Sequence, residues 1–388
     1  MFYIALFLRT FLLLSPIMLF FYQENGLNYK HLFLFQGIFY LTSIVAEFPV
    51  GYICDFFPRR NIIVTSFIIY ITMLLLWLTF HGFGIVLMGE ILFAISKVMM
   101  DNATSGYLYD YLVRSSKENF MVKYYGYLNF FLAAGTAFAG ICGSYIYVHS
   151  GSQIILITEI LFMSAATISM LFLPNIKRQR HEKPRRRIKE FIAVTKNLCK
   201  NNEIKYHICY SGVLTAFSIL FVIGFQPIMQ NALFPIYVFG IVTFVNHGIR
   251  AISSFLAGKV KKYISIKAFV KPLYALYIFA FTLIFLTGII KNKLIIFILL
   301  TIICLIIGCQ LLFSIMHVSR LHKFVDIKHR GSLMSVNNTV SRGLTAAVLI
   351  SSKFFLDKIS LLSFYQIAFG IFIVINTYVM LKLSKIED

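Results

Sequence analysis

Three ionisable residues lie within one apolar stretch of the chain. Glu90, Lys97 and Asp101 are separated by seven and four residues, and an α-helix, at about 100° per residue, places all three within about 40° on one face. If the stretch crosses a membrane, each charge costs about 2.5 to 3.5 kcal/mol, so such residues mark ion or substrate pathways. Lys97 and Asp101 lie one turn apart and can neutralise each other. A proton that binds Asp101 would release Lys97 for another anion, unless the pair is static and only fixes helix packing.

Other carboxylates extend this chemistry. Glu47, near the end of an earlier apolar stretch, is a proton-carrying candidate beside Asp101 and Glu90, unless it only pairs with nearby cations. Glu159 ranks below Glu47, and Asp110 is expected to be structural. Arg9 either extends to lipid phosphates or pairs with a carboxylate.

The second half of the chain contributes interior cations instead of carboxylates. Asn246 with Arg250, and Asn338 with Arg342, each form a polar pair four residues apart on a predicted helix. Guanidinium groups suit an anionic substrate group, although salt bridges between the halves are the alternative explanation. The substrate-binding candidates are therefore Lys97, Asn246, Arg250, Asn338 and Arg342.

The apolar run that contains Glu47 ends in the stretch EFPVGYICDFFPRR at 47–60, which places Gly51, Asp55, Arg59 and Arg60 at a predicted membrane exit. Gly51 would let helices approach closely, and Asp55 could accept N–H bonds at a neighbouring helix N-terminus. Arg59 and Arg60 could pair with carboxylates or lipid phosphates. The alternative is a basic anchor that only fixes topology.

The elements that position these residues are predicted from composition. Hydrophobic residues make up 59% of the chain and charged residues 13%, which indicates an all-α integral membrane protein. A membrane helix needs about 20 apolar residues, and twelve such segments occur. They lie at about 2–22, 31–54, 62–80, 83–107, 124–148, 152–173, 206–230, 236–257, 268–290, 294–317, 332–352 and 360–381. The first is expected to stay in the protein as a helix, because it lacks the features of a cleaved signal.

The net charge of +21 could suggest a nucleic-acid partner, but the positions of the cations argue against one. Of the 36 Lys and Arg residues, 27 lie in alternate connections and the tail, five lie in the opposite connections and four lie within segments. By the positive-inside rule, this bias predicts that both termini are cytoplasmic. The basic run at 177–187 is then a solvated linker or a contact for anionic lipid heads.

The polar stretch 174–205 separates six segments from six, so we expect bundles at 1–173 and 206–388 joined by a basic cytoplasmic linker. The ending GYICDFFPRRN of the second segment has a weak counterpart after Gly258, in KVKKYISIK, which lacks the Asp. This weak repetition favours a duplicated six-helix unit.

The spacing of Gly51, Asp55, Arg59 and Arg60 resembles the signature loop of the major facilitator superfamily. The residues before it, and YLYDYL at 107–112, resemble a subgroup of drug and metabolite exporters. The resemblance implies twelve helices in two pseudo-symmetric six-helix bundles, and a cytoplasmic gate at Gly51, Asp55, Arg59 and Arg60. The run AAGTAFAGICG at 133–143 only partly resembles the antiporter motif of drug exporters, and close helix packing is the favoured explanation of its glycines.

The sequence has no phosphate-binding Gly-rich loop, zinc-ligand spacing or nucleophile elbow, so we expect no enzyme, no cofactor and no metal. The six cysteines are expected to form no disulfide. The expected function is secondary transport in the bacterial inner membrane, with proton-coupled export of a small amphipathic or anionic solute by a monomer. The expected partners are this small-molecule substrate, protons and membrane lipids. Proton-coupled uptake of a metabolite or iron chelate, and a receptor or assembly factor that does not transport, remain alternatives.

Overall fold

The computed structural model describes residues 1–117, 120–176, 201–263, 266–321 and 330–387, and every regular element in those ranges is a helix. The first half contains α1 (Phe2–Arg9), a 3-10 turn (Ser15–Ile17), α2 (Met18–Glu24), α3 (Tyr29–Phe56), α4 (Arg59–Thr79), α5 (Phe83–Arg114) and α6 (Met121–Leu171). The second half contains α7 (Asn202–Asn231), α8 (Ile236–Tyr263), α9 (Ile266–Ile289), α10 (Lys293–Leu321), α11 (Arg330–Leu356) and α12 (Leu361–Glu387).

Among the described helices, 8 are long and apolar enough to cross a membrane, namely α4 to α10 and α12. The chain is therefore a multi-pass membrane protein, as its composition predicts. Helical residues make up most of each of the twelve apolar segments predicted from the sequence.

Helix α6 is too long to be one membrane segment. Its 51 residues would extend about 77 Å at about 1.5 Å per residue, more than twice the roughly 30 Å hydrocarbon core. The helix breaks at Gly151, where φ is +75°, a conformation that glycine adopts without steric cost. This break lies between the predicted segments 124–148 and 152–173, so α6 contains both of them.

The first predicted segment is not one continuous helix, contrary to the prediction for 2–22. Helix α1 ends at Arg9, and the Thr10 hydroxyl donates back to the Leu6 carbonyl at 3.0 Å. The chain then resumes through a 3-10 turn that contains Pro16. Proline has no N–H to donate within a helix, and its ring restricts the preceding residue, which explains the interruption.

The chain forms two compact units, each with its own core. The first comprises 1–180 and 229–252, and in it α5 packs against α3 and α4 while α1 packs along α6. The second comprises 181–228 and 253–388, and in it α9 packs against α10 and α12. Aromatic rings fill this second core, where Tyr277 stacks on Phe372 with centroids 5.5 Å apart.

Glycines bring the helices of the first unit into close contact. A Cβ added at Gly143 would overlap the Leu13 carbonyl, and one at Gly135 would meet the Phe7 carbonyl at 2.6 Å. A Cβ added at Gly140 would lie 2.9 Å from the backbone oxygen of Gly240 on α8. These contacts confirm the prediction that the glycines of 133–143 serve close packing.

Candidate functional site

Helix α5 carries Glu90, Lys97, Asp101 and Asp110, and its packing fixes where they lie. Near its start, Gly89 lets the Trp77 indole of α4 lie directly against the backbone. The indole N–H donates to the Ile85 carbonyl at 3.3 Å, so α4 and α5 are held in register here.

Glu90 is fully buried and is held by neutral donors from two other helices. The Tyr22 hydroxyl of α2 donates to Oε1 at 2.5 Å, and the Gln36 amide of α3 lies 3.4 Å from Oε2. The described part of the chain places no cation in contact with this carboxyl group. A buried carboxyl without a counter-charge is stabilised by binding a proton, which fits the role predicted for Glu90.

Lys97 and Asp101 form the one-turn ion pair that their spacing predicts. The lysine Nζ lies 2.6 Å from both carboxylate oxygens. The two side chains are 41% and 36% exposed, so neither is enclosed by the helix packing. Because a charge that faces lipid is costly, contact with water is the less costly arrangement for this pair.

Arg9 and Glu159 lie together in a buried cluster that their positions in the sequence do not predict. Both side chains are 1% exposed. The Arg9 guanidinium lies 4.2 Å from the centroid of the Tyr70 ring and donates to the Ser96 hydroxyl at 3.4 Å. The Tyr70 hydroxyl donates to Glu159 at 2.7 Å. Burial excludes the prediction that Arg9 extends to lipid phosphates, because its head group does not reach the surface of the protein.

The sequence did contain a signal for this cluster, since Tyr70 and Glu159 each interrupt a strongly apolar stretch. The proton candidate ranked above Glu159 was Glu47, which is only partly buried, on α3.

Gly51 of the predicted cytoplasmic gate does not have the close helix contact that the sequence predicts for it. This residue lies within α3, and a side chain there would meet nothing within 4 Å, so Gly51 does not serve close packing in this structure. The close approach occurs at Gly106 on α5, where a Cβ would overlap the Arg59 guanidinium. The side chain of Asp55 lies outside the described residues.

Arg59 and Arg60 begin α4 and bind two different partners within the first unit. Arg59 forms an ion pair with Asp110 on α5 at 2.8 Å, with both side chains 17% exposed. Arg60 donates to the carbonyls of Leu173 and Leu171, at 2.9 and 3.3 Å, where α6 ends. Asp110 thus joins the end of α5 to the start of α4, and the two arginines together connect the ends of three helices.

The polar pairs of the second half fall in different compact units. Asn246, which is buried, and Arg250, which is partly buried, lie on α8 in the first unit. Asn338 and Arg342, both partly buried, lie on α11 in the second. The structure does not describe the side chains of the basic residues after Gly258.

Comparison with known proteins agrees with this architecture. A family model of the Major Facilitator Superfamily matches residues 1–350, whereas no curated protein matched by sequence.

Solved structures with the same fold include the nucleoside transporter NupG, with a TM-score of 0.76 and 14% identity over 98% of each chain. A mutant of NupG has a TM-score of 0.78 and 14% identity over 98% of this chain and 100% of that one. A POT family transporter in complex with 5-aminolevulinic acid has a TM-score of 0.78 and 12% identity over 100% of this chain and 96% of its own.

At these identities the structural likeness shows the fold alone, whereas the family match extends over most of the sequence. Together with the apolar helices and the charged residues of α5, this match establishes that the chain belongs to the Major Facilitator Superfamily and is a transporter, not an enzyme.

Proposed function

We propose that the protein is a secondary active transporter that exports a small amphipathic or anionic solute in exchange for protons. The observation that carries this proposal is the exposed Lys97–Asp101 pair on α5. A proton on Asp101 removes its attraction for Lys97, and the lysine can then bind an anionic group of the solute. The Lys97–Asp101 pair thereby links the binding of the proton to the binding of the solute.

Glu90 is the second proton carrier in this proposal. It lies on the same helix as the pair but contacts Tyr22 and Gln36 instead. Its full burial separates it from solvent, so a proton on Glu90 would exchange only when the surrounding helices move. Such movement is the basis of alternating access.

The proposed architecture is twelve membrane-crossing helices in two six-helix bundles, 1–173 and 206–388, joined by the linker 174–205. Two observations support it: helical residues make up most of each predicted segment, and α6 divides at Gly151. The bias of Lys and Arg further supports an orientation with both termini in the cytoplasm. The membrane of this proposal is the bacterial inner membrane, in which the protein acts as a monomer in contact with lipid.

The gate residues Gly51, Asp55, Arg59 and Arg60 would act at the cytoplasmic ends of the helices. The Arg59–Asp110 ion pair and the Arg60–carbonyl bonds hold these ends together within the first unit. We propose that such contacts re-form with other partners when the bundles rock. The substrate-binding residues would be Lys97, Asn246, Arg250, Asn338 and Arg342.

The solute can be sought by ligand stabilisation of the purified protein. The panel comprises nucleosides and 5-aminolevulinic acid, chosen from the structural relatives, together with amphipathic organic anions. A ligand at 100 times its Kd stabilises the folded state by about 2.7 kcal/mol, which appears as a rise in the thermal midpoint. A solute bound through Lys97 stabilises the wild type but not Lys97→Ala.

Proton coupling is tested by solute flux in vesicles with an imposed pH gradient. We expect an uncoupler and the Asp101→Asn substitution each to abolish gradient-driven flux. Asp357→Asn is the matched control, because Lys353 and Asp357 form an ion pair of the same spacing outside the proposed site. Full flux in Asp101→Asn, or flux that follows sodium instead, contradicts the proposal.

Once a solute is known, the direction of its transport is tested in cells. Loss of an exporter raises the internal solute concentration, whereas loss of an importer of a metabolite or iron chelate prevents growth that depends on it. A receptor or assembly factor would instead tolerate both Asp101→Asn and Arg250→Ala with full cellular function, because a scaffold does not need interior charges.

A further inference from the structure

The buried cluster around Glu159 joins four helices and is separate from Glu90. Arg9 comes from α1, Tyr70 from α4, Ser96 from α5 and Glu159 from α6, and all four are at most 3% exposed. Contacts run from Glu159 to the Tyr70 hydroxyl, from the Tyr70 ring to Arg9, and from Arg9 to Ser96. The Ser96 hydroxyl in turn donates to the Ser66 carbonyl at 2.7 Å. Four helices therefore meet at one continuous polar cluster.

The Glu159 carboxylate is only half satisfied. Oε1 accepts from Tyr70, and the backbone amide of Leu14 also faces the carboxylate. Oε2 is buried and has no hydrogen-bond partner among the residues that the structure describes. An unpartnered carboxylate oxygen in an apolar interior is costly as an anion, and binding a proton removes that charge.

Arg9 supplies the counter-charge and extends the effect of Glu159 to other acidic groups. Arg9 contacts Ser96 of α5, and Asp101 follows five residues later on the same helix, about 7.5 Å along its axis. The Asp101 carboxylate, with Lys97 paired to it, is therefore the next charged group along α5 from the Arg9 contact. Glu90 precedes Ser96 by six residues on that helix and has its own partners, Tyr22 and Gln36.

From this geometry we propose that Glu159 is a further proton-binding residue, beside Asp101 and Glu90, and that Tyr70 and Arg9 link its protonation to the Lys97–Asp101 pair. When Glu159 binds a proton, its negative charge no longer offsets the charge of Arg9, so the cluster presents a more positive potential to α5. Lys97 is then held less tightly beside Asp101 and can bind an anionic solute. Ser96, which binds Arg9, directly precedes Lys97, so a shift of Arg9 acts on the segment that carries the pair. This linkage rests on the proposed proton-coupled transport, whereas the protonation of Glu159 does not.

The protonation is tested by infrared titration of the purified full-length protein in lipid nanodiscs. A buried carboxylic acid gives a C=O stretching band that disappears when the proton leaves. Besides the bands of exposed carboxyl groups such as Asp101, we expect two titrating components from buried carboxyl groups in the wild type. Glu159→Gln removes one component and Glu90→Gln removes the other. The conservative variants Tyr70→Phe and Tyr22→Phe each shift only the component of the carboxyl group that has lost its hydroxyl donor.

A band pattern that is identical in the wild type and Glu159→Gln at every pH overturns the proposal. If Glu159→Gln does not fold, Tyr70→Phe decides, because a shift of one component supports protonation of Glu159 and an unchanged spectrum contradicts it. The link to Lys97 is tested separately, by measuring at several ionic strengths how much the solute raises the thermal midpoint of the wild type and of Tyr70→Phe. The link predicts a different dependence on ionic strength in Tyr70→Phe, and an identical dependence contradicts it. Failure of transport without loss of the infrared component would refute the proposed function but leave Glu159 as a proton-binding residue.

Discussion

At the scale of the residue, Glu90 and Glu159, which are buried carboxyl groups of the described part of the first unit, each accept a hydrogen bond from a tyrosine. Glu90 accepts from Tyr22, and Glu159 accepts from Tyr70, at 2.5 and 2.7 Å. A tyrosine buries an apolar ring and still presents a hydroxyl donor at its end. A tyrosine can therefore hold a carboxyl group within a packing of apolar helices without adding a charge.

Tyr22→Phe is expected to destabilise the protein. The substitution keeps the ring in its packing but leaves buried Glu90 with the longer contact from Gln36, and an unsatisfied buried polar group costs about 1 to 3 kcal/mol. The thermal midpoint in detergent measures the effect. Tyr237→Phe is the control, because Tyr237 is 51% exposed. Equal midpoints for the two variants would show that the Tyr22–Glu90 bond does not stabilise the fold.

Local spacing predicts some of these contacts but not others. The Lys97–Asp101 pair follows from a separation of four residues in a helix, and the structure confirms it. The tyrosine partners lie 68 and 89 residues away from their carboxyl groups, and only the packing of separate helices brings them together. For the same reason the sequence could not predict that Arg9 would meet Tyr70 or that Arg59 would meet Asp110.

At the scale of the element, apolar runs predict the helices well because a membrane helix must satisfy its own backbone hydrogen bonds. The boundary between 148 and 152 was predicted, and the structure places the break of α6 at Gly151. The interruption after Arg9 was not predicted, although Pro16 was a visible signal of it. The role of a particular glycine was harder to predict, since Gly51 has open space beside it while Gly106 lies against Arg59.

Alanine substitution at two glycines of α6, Gly143 and Gly126, is expected to change the stability of the protein in opposite directions. A Cβ at Gly143 would overlap the backbone of Leu13, so Gly143→Ala forces helices apart and costs about 1 to 3 kcal/mol. A Cβ at Gly126 meets nothing within 4 Å, so Gly126→Ala is expected to stabilise by about 0.4 to 1 kcal/mol through the unfolded chain. Thermal unfolding of both variants provides the comparison. Stabilisation by Gly143→Ala would contradict the close contact between α6 and the segment after α1.

Arg59 and Asp110 are expected to be energetically coupled across the ends of α4 and α5. Arg59→Ala leaves Asp110, which is 17% exposed, without its cation, and the expected loss is about 1 to 3 kcal/mol. Asp110→Asn added to Arg59→Ala should recover part of that loss, because no charge then remains unpaired. A double-mutant cycle with unfolding midpoints measures the coupling. Strictly additive effects would mean that the ion pair contributes nothing to stability.

At the scale of the whole molecule, two features of the sequence were sufficient for the fold class: the apolar segments and the loop at Gly51 to Arg60. The family match over residues 1–350 confirms the transporter assignment. The solute could not be predicted, because a solute is recognised by a few polar side chains whose positions depend on how the helices pack. The uneven distribution of Lys and Arg does, however, predict the orientation of the chain in the membrane, with both termini in the cytoplasm.

That orientation predicts where each connection of the chain lies. A fluorescent protein fused after Asp388 should fold and fluoresce, because the C-terminus is expected in the cytoplasm. A periplasmic phosphatase inserted after Lys358, between α11 and α12, should be active, because that connection is expected outside. Exchange of the two reporters should silence both.

The same pair of reporters can count the membrane-crossing helices. Each helix that crosses the membrane places the next connection on the opposite side, so reporters in successive connections show whether the helix between them crosses. Twelve crossings give alternating signals along the whole chain, with 177–187 inside together with both termini. Two successive connections on the same side would remove a crossing and contradict the arrangement of two six-helix bundles.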